Sequence, residues 1–182
     1  MAIAKWQNMM YNVGNCGGKW GITLQNTLLT APKWVRIAQM FLGEYLHNID
    51  GKGRLTLPAR FRAELAKGVV VTRGLDGCLF VYPVDEWEKL AQRINGLPLT
   101  KKDARTLARL IYSRASACVP DKQGRILLPT YLREFATLDG ETVIIGLYTR
   151  LEIWNPERWQ QVTNDVEEHG DAIAEHLAEL GI

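Results

Sequence analysis

Asp50-Gly-Lys-Gly-Arg-Leu-Thr-Leu-Pro58 returns as Asp121-Lys-Gln-Gly-Arg-Ile-Leu-Leu-Pro129, 71 residues further along the chain. Arg62 recurs as Arg133 at the same offset. At an offset of 72, Gly74-Leu75 recurs as Gly146-Leu147, Leu79 as Leu151, Val81-Tyr82 as Ile153-Trp154 and Trp87 as Trp159. The order of features is preserved, and the second copy carries one extra residue. Ordered self-similarity of this kind marks a duplicated structural unit.

Each copy reads as strands followed by a short helix. Glu44–Ile49 leads into a Gly-rich turn at 50–53, a hairpin signal. Arg54-Leu-Thr-Leu57 alternates with period two and stops at Pro58, which cannot donate to a sheet ladder. Val69–Thr72 and Cys78–Tyr82 are β-branched or aromatic runs on either side of a turn at 73–77. Pro83 precedes Val84–Asn95, where Trp87, Leu90, Ala91 and Ile94 recur at helical spacing. The second copy repeats the plan with Thr142–Ile145, Leu151–Trp154 and a helix opened by Asn155-Pro156, good residues for N-cap and N1. Between the copies, Thr100-Lys-Lys-Asp103 resembles a capping box ahead of a helix with Leu107, Leu110 and Ile111 on one face. Asp165–Leu180 reads as an acidic helix with Ile173, Leu177 and Leu180 on one side.

About 45 residues of strand cannot bury much core alone, whereas two such copies can intertwine around one. The expected fold is α+β, mainly β with peripheral helices. Two tandem units form a pseudo-two-fold barrel, and an acidic helix follows.

Composition narrows the class. The 182 residues are 47% hydrophobic and 23% charged, ordinary for a folded domain. Cys16, Cys78 and Cys118 are a sparse, odd set without a CxxC, which argues against a disulfide framework or zinc ribbon. No apolar run approaches the ~20 residues of a membrane helix, and the expected compartment is the cytoplasm. Net charge is +2 but unevenly spread. Residues 1–39 hold four basic residues and no acid, and 165–179 hold six acids and no Lys or Arg. The 40–164 body keeps 18 basic against 14 acidic residues, a net +4 that suits an anionic partner.

The most distinctive motif is Asp-x-x-x-Arg, present as Asp50–Arg54 and Asp121–Arg125, each with a lysine in the turn (Lys52, Lys122). Two readings stand side by side. The aspartate can accept backbone N–H groups of the turn and clamp its own arginine. The arginine and lysine can also meet phosphates or guanine edges from a rigid hairpin. Arg60, Arg62 and Arg133 would widen that basic surface. Enzyme signatures are missing: there is no GxGxxG, GxxxxGK[ST], HExxH or GxSxG. His169 and His176 fit a solvated helix, Cys78 and Cys118 small buried hydrophobes, and Trp87 and Trp159 packing.

The ordered set Met40-Phe-Leu-Gly-Glu-Tyr45, Ile49-Asp-Gly-Lys-Gly-Arg-Leu-Thr-Leu-Pro-Ala-Arg60, Thr72-Arg-Gly-Leu-Asp-Gly-Cys-Leu79, Asp121–Pro129 and Ile144-Ile-Gly-Leu147 resembles the bacterial MraZ family over about 40–182. The resemblance implies two AbrB-like swapped-hairpin modules, at 44–86 and 115–158, joined by linking helices at 87–114 and followed by a helical tail at 159–182. It implies a transcriptional regulator, in the main a repressor, of its own division and cell-wall gene cluster. The implied partners are double-stranded DNA with direct TGGG-containing repeats about one turn apart, and further copies of the chain in a ring-shaped homo-oligomer associated with the nucleoid. The DNA-facing residues would be Lys52, Arg54, Lys122 and Arg125, with Arg60, Arg62 and Arg133 beside them, and Asp50 and Asp121 fixing the loops. No cofactor, catalysis, membrane contact or small-molecule substrate is implied. The alternative is an antitoxin-like protein-interaction module with incidental DNA contact.

Residues 1–39 depart from the family pattern and read as a disordered extension or a start codon assigned too early. Val13-Gly14, Cys16-Gly17 and Lys19-Trp20-Gly21 can each be encoded through GTGGG, at starts ten nucleotides apart. On that reading the segment is translated operator, and its nucleotide sequence decides the matter.

Overall fold

The computed structural model describes residues 40–179. Expectations placed on 1–39 and on Leu180 lie outside the described residues, as do those on the side chains of Ile173 and His176. In chain order the strands are β1 (Phe41–Asn48), β2 (Arg54–Thr56), β3 (Val69–Arg73), β4 (Leu79–Pro83), β5 (Ser116–Cys118), β6 (Arg125–Leu127), β7 (Glu141–Tyr148) and β8 (Arg150–Trp154). The helices are α1 (Arg62–Leu65), α2 (Val84–Asn95), α3 (Lys102–Tyr112), α4 (Thr130–Ala136) and α5 (Pro156–Ala178).

Six strands form one antiparallel sheet in the order β1-β7-β8-β4-β3-β5, and β2 and β6 form a separate two-stranded ribbon. The pairing is reciprocal between the copies. β1 of the first copy runs against β7 of the second. Its counterpart β5 runs against β3 of the first. In the ribbon, Leu55 lies opposite Ile126, and these are equivalent positions at the 71-residue offset. In the sheet, Phe80 lies opposite Glu152, equivalent at 72. Both pairs mark a pseudo-two-fold axis, so neither copy closes without the other. The fold is the expected duplicated α+β architecture.

Alternation along each ribbon strand decides what is buried. Leu55, Leu57, Ile126 and Leu128 turn inward and join Val69, Val71, Leu79, Val81, Ile144, Leu151 and Ile153 of the sheet in one core. Phe61, Leu65, Leu132 and Ala136 close its ends from the segments after the two prolines. These one- and two-turn helices were not legible in the sequence. Pro58 and Pro129 precede them with φ near −55°, a value that also suits a helix start. A second cluster of Cys78, Val143, Ile145 and Trp154 receives Trp159 and Val162 of α5.

The linking helices pack through Tyr82, Trp87 and Tyr112, with ring centroids 6.0 and 5.8 Å apart. The buried Thr72 Oγ1 donates to the Ile111 carbonyl at 2.7 Å and ties α3 to β3. Two details differ from expectation. Thr100 does not cap α3: Lys101 occupies the N-cap without a side-chain bond, and Arg105 Nη1 donates to the Thr100 carbonyl instead. Only Ile111 of the expected apolar face is buried, and Leu107 and Leu110 are exposed. At α5, Asn155 Oδ1 accepts from the Glu157 and Arg158 amides, as a capping Asn does. Arg158 then donates to the Gly77 carbonyl at 3.0 Å, joining the copies. The helix continues unbroken from Pro156 into the acidic segment.

Truncating the axial Leu55 to Ala leaves a cavity in a site with no solvent access. The expected loss is about 2–5 kcal/mol in urea unfolding, against under about 0.5 kcal/mol for Leu127→Ala on the ribbon's outer face.

Candidate nucleic-acid interface

The two Asp-x-x-x-Arg turns have the same geometry. Asp50 Oδ1 accepts from the Lys52 and Arg54 amides at 2.9 and 3.0 Å, and Oδ2 from Arg54 Nε at 2.7 Å. Asp121 Oδ1 accepts from the Gln123 and Arg125 amides at 2.9 and 3.0 Å, and Oδ2 from Arg125 Nε at 2.7 Å. In both turns the arginine Nη2 lies 2.6 Å from the same Oδ2. Four short bonds to one carboxylate favour its charged form. The Arg54 side chain, and then the turn amides, pull Asp50 down to about 2. Arg125 does the same to Asp121, also to about 2.

The clamp leaves chemistry available. Nε and Nη2 face the aspartate, while Nη1 of Arg54 and of Arg125 has no protein partner among the described residues. A guanidinium carries five N–H donors in one plane. Its outer edge can therefore still meet a pair of acceptors end-on. The turn-fixing reading and the anion-facing reading are thus compatible in one group.

Ribbon register brings the turns together. Arg54 lies opposite Leu127, and Thr56 opposite Arg125. Directly opposed residues share a sheet face, so these four residues form the outer face while Leu55 and Ile126 point into the core. Asp121 is close enough to Arg54 to add to its positive charge's stability. Lys52 and Lys122 stand exposed in the turns and join no ion pair among the described residues.

Arg62 and Arg133 have a role the sequence did not reveal. Arg62 Nε donates to the Leu57 carbonyl at 3.1 Å, and Arg133 Nε to the Leu128 carbonyl at 3.2 Å. Each side chain lies over the turn glycine of the other copy: Arg62 over Gly124 and Arg133 over Gly53. Both glycines have positive φ, +74° and +77°, and a Cβ on Gly53 would stand 3.1 Å from Arg133 Nε. Glycine is needed there on both counts. Arg60 is exposed, stacks 5.2 Å from the Phe61 ring and donates to the Tyr45 hydroxyl at 2.9 Å. Thr56 and Leu127, on the face between the arginines, were missed. Period-two alternation from Arg54 and Arg125 places both outward.

The remaining candidates behave as packing groups. Burial pushes the Cys78 thiol up to about 12 and raises that of Cys118, which suits neither for nucleophilic work. Trp159 packs 5.7 Å from Trp154 and donates to Glu44 at 3.0 Å. Among the described residues no group of three or more His, Cys, Asp or Glu could hold a metal, and no helix is long and apolar enough to cross a membrane.

A duplicated, strand-exchanged α+β unit with twin clamped arginines on one ribbon defines the class of fold. The family model for the MraZ protein, antitoxin-like by its description, matches the chain twice, over residues 40–110 and 111–179. The chain is 52% identical over 143 residues to the transcriptional regulator MraZ of Halothermothrix orenii, covering 79% of this chain and 100% of that one. It is 51% identical to the protein of the same name from Desulforamulus reducens (78% and 99% covered) and 49% identical to that of Moorella thermoacetica (79% and 100%). The chain belongs to the MraZ family, and these relatives are named as transcriptional regulators.

Because both aspartates titrate below their unfolded value near 3.9, their contribution to turn order is complete above about pH 4. It is lost as pH falls toward 2. A carbon-13 carboxyl titration is expected to place both midpoints near 2. Midpoints near 4 would mean that the clamps do not form in solution.

Proposed function

We propose that the chain is a sequence-specific DNA-binding transcriptional regulator. It acts mainly as a repressor of its own division and cell-wall gene cluster, in the cytoplasm and on the nucleoid. The observation that carries this reading is the ribbon: two clamped arginines on one outward face, with a lysine in each adjoining turn. B-DNA's major groove is about 12 Å wide and admits a two-stranded ribbon. The names of the relatives, transcriptional regulators all, support the same reading.

Roles follow from chemistry. Arg54 and Arg125 present planar donors to guanine O6 and N7. Lys52, Lys122 and Arg60 neutralise phosphates as surface cations. Arg62 and Arg133 hold the two turns together and add positive potential behind them. Asp50 and Asp121 fix the arginine rotamers before DNA arrives, which lowers the ordering cost of binding. The DNA is a set of direct TGGG-containing repeats about one turn apart, so several ribbons in an assembly engage one array and gain from effective concentration.

A ring-shaped homo-oligomer supplies those ribbons. Its support lies in two uncovered and complementary helix faces. On α3, exposed Leu107 and Leu110 are accompanied by the exposed Lys102 and Arg109. On the far half of α5, exposed Val166 and Leu177 are accompanied by Asp165, Glu167, Glu168, Asp171 and Glu175. One copy's α5 against the next copy's α3 is a head-to-tail contact, the type that builds a ring when the rotation from copy to copy closes. The family's antitoxin-like description supports a second reading, a module that docks a protein partner. Loss of DNA binding near physiological salt, with a tight protein partner retained, would favour it.

Gel shift on a duplex of three TGGG repeats spaced by ten base pairs tests the proposal. Arg54→Ala and Arg125→Ala are each expected to weaken binding at least about tenfold, with an unchanged elution volume in size exclusion. Undiminished binding by the double variant would contradict it.

A further inference from the structure

We infer that Leu127 is a base-reading residue: it seats the 5-methyl group of a thymine beside the base pair met by Arg54, and so gives each ribbon a direction along the DNA. The inference rests on the DNA-binding reading above and names what that face distinguishes.

Leu127 is out of place as a core residue. It is 57% exposed, while its neighbours Ile126 and Leu128 are each 1% exposed. It sits on the three-residue strand β6, directly opposite Arg54, on the face shared with Arg125 and Thr56. Nothing in the hydrophobic clusters packs against it. A large apolar side chain in the middle of a cationic face gains nothing from phosphate or water. Among base edges in the major groove, thymine alone offers an apolar methyl.

Spacing supports the placement. Directly opposed residues on a ribbon have Cβ atoms about 5 Å apart, and bases along one strand are about 3.4 Å apart. A guanine held by Arg54 and a methyl held by Leu127 are therefore near neighbours in the stack.

The same position carries the asymmetry. At the 71-residue offset Leu127 corresponds to Thr56, which offers a hydroxyl beside one small methyl where Leu127 offers a large and wholly apolar surface. The turns break the symmetry again, since Lys52 corresponds to Gln123 and Lys122 to Gly51. A two-fold reader with identical halves matches a palindrome. This ribbon has a two-fold backbone and unlike side chains, so it matches a site that has a head and a tail.

The test is a double-mutant cycle on the three-repeat duplex, comparing thymine with uracil at each TGGG position, for the unaltered protein and for Leu127→Ala. Uracil lacks only the methyl. The expected result is three- to fivefold weaker binding of the unaltered protein per methyl contacted, roughly the worth of one buried methyl. Leu127→Ala should bind more weakly and lose nothing further on uracil, with its melting temperature and elution volume unchanged. Equal uracil effects in both proteins, or none in the unaltered one, would overturn the inference and leave the DNA reading standing. A Leu127→Ala protein that falls apart in size exclusion would assign the residue to subunit contact and overturn it too. If the unaltered protein does not bind the thymine duplex, the DNA reading itself fails.

Discussion

The ribbon strands of this chain find their ladder partner in the other copy, and within its own copy β2 makes only the single bridge Ile49–Leu55 among the described residues. Leu57 N–H donates to the Gly124 carbonyl at 2.8 Å, and Leu128 N–H to the Gly53 carbonyl at 2.9 Å. Three-residue strands cannot persist in water as an isolated hairpin. Their pairing holds because Leu55, Leu57, Ile126 and Leu128 are sealed against the sheet on the inner side. Everything on the outer side depends on that seal. It sets the register, the register sets which side chains share a face, and the Asp–Arg clamps then fix how the cations point.

This arrangement separates stability from recognition. Inner ribbon residues are apolar and buried; outer ones are charged, hydroxylic or, at Leu127, apolar and exposed. The crossing arginines tie the layers together, since each sits on its own copy and covers a glycine of the other. Substituting the outer face therefore leaves the core intact, whereas changing Gly53 or Gly124 would push the two turns apart. In the proposed function, this rigidity lets a few side chains meet DNA without first being ordered.

Local features were readable from the chain, and of the non-local ones only that the two copies intertwine. The repeat, the alternation at Arg54–Leu57, the bounds of α2 and the Asn155 cap each depend on residues within a few positions. The exchange of strands between copies depends on residues 71 apart, and symmetry of sequence does not say which copy a strand joins. Ile126-Leu127-Leu128 looks uniformly apolar, so only alternation counted from Arg125 marks Leu127 as its outward member. Arg62 and Arg133 resemble free surface cations because the glycines they cover belong to the turn of the other copy. An amphipathic face such as that of α3 looks the same in sequence whether its own core covers it or another chain does. Leu107 and Leu110 fall on the uncovered side.

Amide hydrogen exchange with and without the three-repeat duplex tests the central claim most directly. If the swapped ribbon is the surface that meets DNA, the backbone of 50–57 and that of 121–128 slow together on adding duplex, while α2 does not change. Slowing confined to α2 or α3, with both turns unaffected, would contradict the account.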